Sequence, residues 1–318
     1  MSISKLSGVA YSSINKISGV AKSGVAKVKG VSAAAYFLDT HAGSTCAYSL
    51  RQLSSSATVA ITVENSSGST ADIGFTAAGG LDTSALATHC GSNFGRVSRW
   101  HDQSGNGNHM DQSSATSRPY IVDASGNLIT TTNNSVPALN FNFSSTGRHL
   151  QNSGFQTNNG DQFLTSYLAE FTSVTAGQNL AMQWTSSTST QVFANQLLGA
   201  SSKLRSSARF NDSSKSLGRA DTSATVSTGV EYIVTNFMSA SPYTGDIDVN
   251  GDTSDALTGF PSSGGINNGS QEFALGRRPD NGAGQFTGLM AEFVMWSDST
   301  LPDRSNVLSD MNTHYSVF

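Results

Sequence analysis

The residues with most scope for chemistry in this chain are its carboxylates, because paired carboxyl groups can act as nucleophile and acid/base and clustered ones can hold a cation. Asp280 stands in a polar loop, Arg278-Pro279-Asp280-Asn281, whereas Glu170 and Glu292 fall inside apolar, strand-like runs and are expected to cap or face a sheet. Asp246, Asp248, Asn250 and Asp252 follow the start of an EF-hand loop. The twelfth position of that loop is Leu257, where a bidentate Glu is required, and Asn250-Gly251 is instead a hairpin signal. The histidines show no zinc spacing, and His101 and His109, on either side of a Gly-Asn loop, read as hydrogen-bonded turn residues. No Gly-x-Ser-x-Gly elbow marks a serine nucleophile. No metal and no cofactor is expected.

These residues must be positioned by strands. Short apolar runs at 58–63, 163–171, 231–237, 272–275 and 289–296 are of strand length and rich in β-formers, and polar turns separate them. Two helices are predicted, one over 83–90 that stops at Gly91 and one from Pro302 to about His314. Only 13% of the 318 residues are charged, and 31 are glycine, which suits many strands joined by turns. The reading is all-β: a two-sheet antiparallel sandwich over 36–318 as one domain, with a short C-terminal helix and a separate N-terminal segment over 1–35. Within it, Asp102, Gln103, Gly105, Asn106, Gly107 and Asn108 read as a structural loop, since Gly allows positive φ and Asp and Asn bond to turn backbone.

A net charge of −4 gives no electrostatic footprint for nucleic acid. Cys46 and Cys90 are too few for a disulfide scaffold and are expected as free thiols. The first 35 residues are interrupted by Lys, Ser or Gly too often for a secretory signal, and no stretch has the length and apolarity of a membrane span.

Residues 3–13, 14–24 and 25–35 repeat one pattern: Ile3, Ile14 and Val25; Lys5, Lys16 and Lys27; Leu6, Ile17 and Val28; Gly8, Gly19 and Gly30; Val9, Val20 and Val31. An eleven-residue period could serve a right-handed coiled coil. A glycine per repeat costs a helix roughly 1 kcal/mol, and Ile and Val favour extended backbone, so short extended pieces with a turn at each Gly are expected instead. Three apolar side chains per repeat cannot form a core alone; the segment is read as an attachment and oligomerisation device.

Tandem segments of this form resemble the start of structural proteins of tailed bacteriophages. The C-terminal block from Phe273 to Tyr315 resembles the closing strands and helix of concanavalin A-like, laminin-G-type sandwiches. Tyr48-Ser49-Leu50-Arg51, Asp72-Ile73-Gly74-Phe75, Leu81-Asp82-Thr83 and above all 100–109, Trp-His-Asp-Gln-Ser-Gly-Asn-Gly-Asn-His, resemble the catalytic domain of α-L-arabinofuranosidase B. That resemblance implies a jelly-roll sandwich and puts Asp280 at the place of the family's acid/base. The family's nucleophile is a Glu in a Tyr-Gly-Asn-Ala-Glu stretch preceded by adjacent cysteines. The corresponding stretch here, 179–187, holds no Glu, Asp or Cys.

The expectation is therefore a non-enzymatic virion structural protein, with no catalytic residue. Its repeat would join other virion proteins, and its sandwich would project from the virion surface as a fibre, spike or decoration module, after assembly in the host cytoplasm. A homo-oligomer, with a trimer favoured, would give a weak sugar site avidity. Trp184, Arg277, Asp280, Asn281 and Trp296 are candidates for binding a bacterial surface glycan. The alternatives are a glycoside hydrolase of the arabinofuranosidase type and a purely structural capsid or tail stabiliser.

Overall fold

The computed structural model describes residues 36–142, 147–157, 161–185, 187–188, 190–253, 256–267 and 272–318, together with the backbone of six two-residue strands in the first 35 residues. Its longer strands are β1 (Cys46–Ser49), β2 (Val59–Asn65), β3 (Gly95–Trp100), β4 (Gln162–Phe171), β5 (Gln178–Gln183), β6 (Phe193–Leu198), β7 (Lys203–Arg209), β8 (Leu217–Asp221), β9 (Glu231–Ala240), β10 (Tyr243–Val249), β11 (Phe273–Leu275) and β12 (Gly288–Trp296). The helices used below are α1 (Thr83–Cys90) and α2 (Arg304–Tyr315).

Two antiparallel sheets pack face to face. One runs β10, β9, β4, β12, β1, and the paired strands β2 and β3 join it through Tyr120–Val122 and Leu139–Asn140. The other begins at Leu150–Asn152 and continues through β11, β5, β6, β7 and β8 to Ala256–Thr258. Alternation along each strand sends one set of side chains into the space between the sheets. There Phe273 lies 5.6 Å from both Phe193 and Phe293, and Phe155 lies 4.7 Å from Phe273, so aromatic rings bridge the two sheets. Burying such rings is worth roughly 1.5–3 kcal/mol each.

A second apolar layer lies on the other face of the first sheet. Val307, Leu308, Met311 and Tyr315 of α2 pack there with Leu164, Leu168, Ile233 and Trp296. Strand β12 is consequently buried on both faces. This makes Glu292 costly to house, and four hydrogen bonds offset the cost: from Ser49 Oγ (2.8 Å), Arg51 Nε and a second Arg51 nitrogen (2.8 and 2.9 Å) and Tyr315 Oη (2.7 Å). Burial alone would raise the Glu292 pKa. Arg51 and these hydrogen bonds outweigh it and hold the carboxyl below the ordinary value.

Helix α1 spans the residues expected for it, with Asp82 accepting from the Ala85 N–H and Gly91 at φ 59° ending it. The C-terminal helix starts later than predicted. Pro302 precedes it, and Asp303 is the cap, accepting from the Asn306 N–H. The Asp246–Asp252 stretch is a hairpin: Val249 pairs with Asp252, and Asn250 and Gly251 between them have φ of 53° and 88°, as a type I′ turn requires. Cys46 and Cys90 are free and buried.

In the N-terminal segment Leu6 pairs with Val9, Ile17 with Val20 and Val28 with Val31, while Lys5 pairs with Ala10, Lys16 with Ala21 and Lys27 with Ser32. One hairpin register thus recurs every eleven residues. Ile3, Ile14 and Val25, the remaining apolar positions of the repeat, lie outside the described residues.

Candidate functional site

Strands β6, β7 and β8 alternate strictly, with Phe193 and Leu197, Leu204 and Ala208, and Ala220 turned into the core. Their intervening residues face outward. Register places Gln196 opposite Arg205, Arg205 opposite Asp221, and Ser207 opposite Arg219, so these polar side chains share one face. Gln196, Arg205, Ser207 and Arg219 line a cleft of 560 Å³ with Asn179, Met182, Trp184, Leu217 and Arg278, a size ordinary for a small-molecule site. Met182, Trp184, Ala194 and Leu217 form an apolar cluster on this face.

The loop carrying Asp280 closes one side of the cleft. It is fixed to β5 by hydrogen bonds from the Asn179 N–H to the Gly284 carbonyl (2.6 Å) and from Asn179 Nδ2 to the Ala283 carbonyl (2.9 Å). Gly284 is required there: at φ 59°, a Cβ would lie 2.3 Å from Asn179 Nδ2. Asn179 Oδ1 in turn accepts from Gln196 Nε2 at 2.8 Å, which couples the loop to β6.

Two of the arginines are forked onto carboxylates. Arg205 binds Asp221 through two 2.6 Å contacts, and Arg278 binds Asp280 at 2.6 and 2.8 Å. Both are bidentate geometries that hold the carboxylates in place. Arg209 lies over the Trp184 ring at 5.4 Å and donates to Gln191 and to the Lys215 carbonyl. Trp184 is 9% exposed, so it forms part of the floor more than an open stacking platform.

The five glycan candidates separate. Trp184 and Asp280 belong to this cleft and its loop. Asn281 is exposed beside them, its Oδ1 accepting from the Ala283 N–H. Arg277 points elsewhere, donating to Gln151 Oε1 at 2.9 Å. Trp296 is corrected outright: it is fully buried beneath α2, and its indole N–H donates to the His41 carbonyl at 3.1 Å, so no ligand reaches it. Glu170 accepts from the N–H and hydroxyl of Thr132 (both 2.7 Å), and Glu292 belongs to the buried network; neither faces the cleft.

The Asp102–Asn108 polar groups are spent on the frame. Asp102 accepts from the N–H groups of Ala47, Ser104 and Asn108. Gln103 accepts from the Leu53 N–H and donates to the Ser49 and Arg51 carbonyls. Asn106 and Asn108 donate to the Thr45 carbonyl. His109 Nδ1 accepts from the Asp102 N–H, and His101 bonds Thr62. No cluster of metal-ligating side chains occurs among the described residues.

Comparison of the sequence with known protein families and with curated proteins finds no match. Solved structures do match in fold. The chain is similar to an arabinofuranosidase complexed with arabinofuranosyl-α-1,2-xylobiose, at 18% identity and TM-score 0.60, over 86% of this chain and 63% of that one. It is similar also to a GH54 α-L-arabinofuranosidase soaked with a cyclic sulfate inhibitor, at 20% identity, TM-score 0.55 and the same coverage. The chain thus spans under two thirds of these enzymes' length, and the likeness establishes the concanavalin A-like two-sheet fold.

The expectation that the chain is not an enzyme is corrected by this finding, since the structures sharing its fold over 86% of its length are glycosidases. That expectation rested on a stretch, 179–187, without carboxylates. Its strand does line the cleft, but the acidic groups on this face come from β8 and from the 278–284 loop, as Asp221 and Asp280. The structures named are not virion proteins.

Proposed function

We propose that the sandwich is a carbohydrate-active domain that takes a glycan in the cleft on the outer face of β5–β8. The observation that carries this reading is the pairing, on one sheet face, of an apolar floor with a ring of amide, hydroxyl and guanidinium groups. A sugar offers the complement, C–H faces and hydroxyl edges. Strands and a doubly anchored loop hold these groups in place, which lowers the ordering cost of binding.

A second reading is hydrolysis of the arabinofuranosidase kind, favoured by the likeness of the fold to arabinofuranosidases and by Asp280 on the loop that closes the cleft. Glycosidases of either stereochemistry work with two carboxyl groups flanking the scissile bond. In this reading the Asp280 carboxyl, protonated and released from Arg278, gives its proton to the leaving oxygen while a water adds to the anomeric carbon and loses a proton to a second carboxylate. One experiment separates the two: calorimetric titration with arabinosyl and other oligosaccharides, run beside release of 4-nitrophenol from its arabinofuranoside. Ser207→Trp, which fills the cleft, is expected to abolish binding in a folded protein. If the chain hydrolyses, Asp280→Asn is expected to slow turnover at least about a hundredfold while leaving saccharide binding within a few fold. Saccharide binding unchanged by Ser207→Trp would place the site elsewhere.

The N-terminal repeat supports an additional role as an adaptor that joins the sandwich to other proteins, and a virion surface is the setting its sequence suggests. That role rests on the repeated sequence and its recurrent hairpin register.

A further inference from the structure

Of the three arginines lining the cleft, two have a carboxylate and one does not. Arg205 is paired with Asp221 and Arg278 with Asp280. Arg219 has no hydrogen bond or ion pair among the described residues, and its Nε is buried without a partner. It stands beside Arg205 on the same face, in register with Ser207 across the ladder, and next to Asp221 on its own strand. The cleft therefore carries one positive charge in excess within a chain whose net charge is −4. Burial, and then the positive charge of Arg219, lower the pKa of Arg209 on the neighbouring strand. A guanidinium without a counterion leaves its terminal N–H groups for an acceptor brought by the ligand.

We propose that Arg219 receives an acidic group of the ligand, so that the cleft takes a sugar bearing a carboxylate, of the uronic acid class. This inference rests on the glycan reading of the cleft and adds the charge of the ligand to it. A planar carboxylate matches the guanidinium fork, with Ser207 Oγ opposite as a further donor. The apolar floor of Met182, Trp184 and Leu217 is left for the ring's C–H face.

The test titrates the full-length protein with an oligogalacturonide, with the same oligosaccharide after reduction of its carboxyl groups, with a neutral arabinosyl oligosaccharide and with a sulfated oligosaccharide. The acidic ligand is expected to bind at least about tenfold more tightly than its reduced form, and added salt should weaken only the former. In Arg219→Gln the two forms should bind equally, so that the preference vanishes. Arg219→Lys should recover part of it, since charge returns without the fork. Thermal melting of both variants checks the fold. Equal binding of the acidic and reduced forms overturns the acidic-sugar inference and leaves the glycan reading intact. Binding of the sulfated sugar alone overturns the carboxylate assignment, and binding of none of the four overturns both readings.

Discussion

At the scale of single residues, this protein keeps its polar chemistry in two separate places. The guanidinium groups of the cleft reach solvent over a nearly buried floor, whereas Glu292 is enclosed on every side and holds Ser49, Arg51 and Tyr315 together beneath α2. Glu292→Gln keeps the shape and removes the charge, leaving Arg51 buried without its counterion. A loss of about 3–5 kcal/mol is expected, measurable by urea denaturation at neutral pH. His149 gives a pH dependence of its own. Burial, reinforced by the nearby Arg277 charge, lowers its pKa from 6.5 to about 4, and Gln112 Nε2 lies 2.6 Å from its Nε2. The unfolded chain takes up this proton near pH 6.5 and the folded chain only near pH 4. Stability from this group is therefore whole above pH 6.5 and falls as acid is added between those values. Stability read from denaturation curves should fall more steeply with pH over that range in the wild type than in His149→Gln. Coincident pH profiles of the two proteins would rule the effect out.

At the scale of elements, the sequence was most legible where apolar patterning and turn chemistry agreed. Helix α1 had both an Asp82 cap and a Gly91 stop, and it spans the residues expected. The Asn250-Gly251 turn, the repeat's hairpins and the long strands β4, β9 and β12 were equally plain, because aromatic and β-branched residues crowd them. The strands that build the cleft were not read. Lys203–Arg209 and Leu217–Asp221 carry Ser, Ala, Gly, Arg and Asp, with hardly a β-branched residue between them. Their alternation was present, Leu204, Ser206 and Ala208 inward against Arg205, Ser207 and Arg209, but small polar residues masked it. The candidate site suffered accordingly. Asp280 and Trp184 were found from resemblance and residue type, Arg219 and Asp221 only from the register of β7 with β8, and Trp296 was misplaced because a buried tryptophan and an exposed one look alike in sequence.

At the scale of the whole molecule, the first 35 residues and the sandwich have different physical characters. One has three pairs of two-residue strands among its described residues and a sequence with too few apolar side chains per repeat to form a core; the other has an aromatic interior spanning two sheets. Removing residues 3–35 is expected to leave the melting temperature of the sandwich within a few degrees of the full chain and to leave the sandwich monomeric. Light scattering coupled to size-exclusion chromatography reads both states. Oligomers of unchanged size after truncation would show that the sandwich itself carries the contact.

The loop at Asp102–Asn108 bears on that contact. Among the described residues, strand β1 has a hydrogen-bonded strand neighbour on one side only, β12. Along its other side the Ala47 N–H goes to Asp102, the Ala47 carbonyl accepts from the Gln103 N–H, and the carbonyls of Thr45 and Ser49 accept from side-chain amides of the loop. Side chains stand in for the strand that is not there. A flank covered in this way offers another chain's backbone little to pair with. Edge-to-edge growth of the sheet is closed at β1, and any assembly of these molecules must be directed through other surfaces, of which the hairpin repeat is the one with a recurrent spacing.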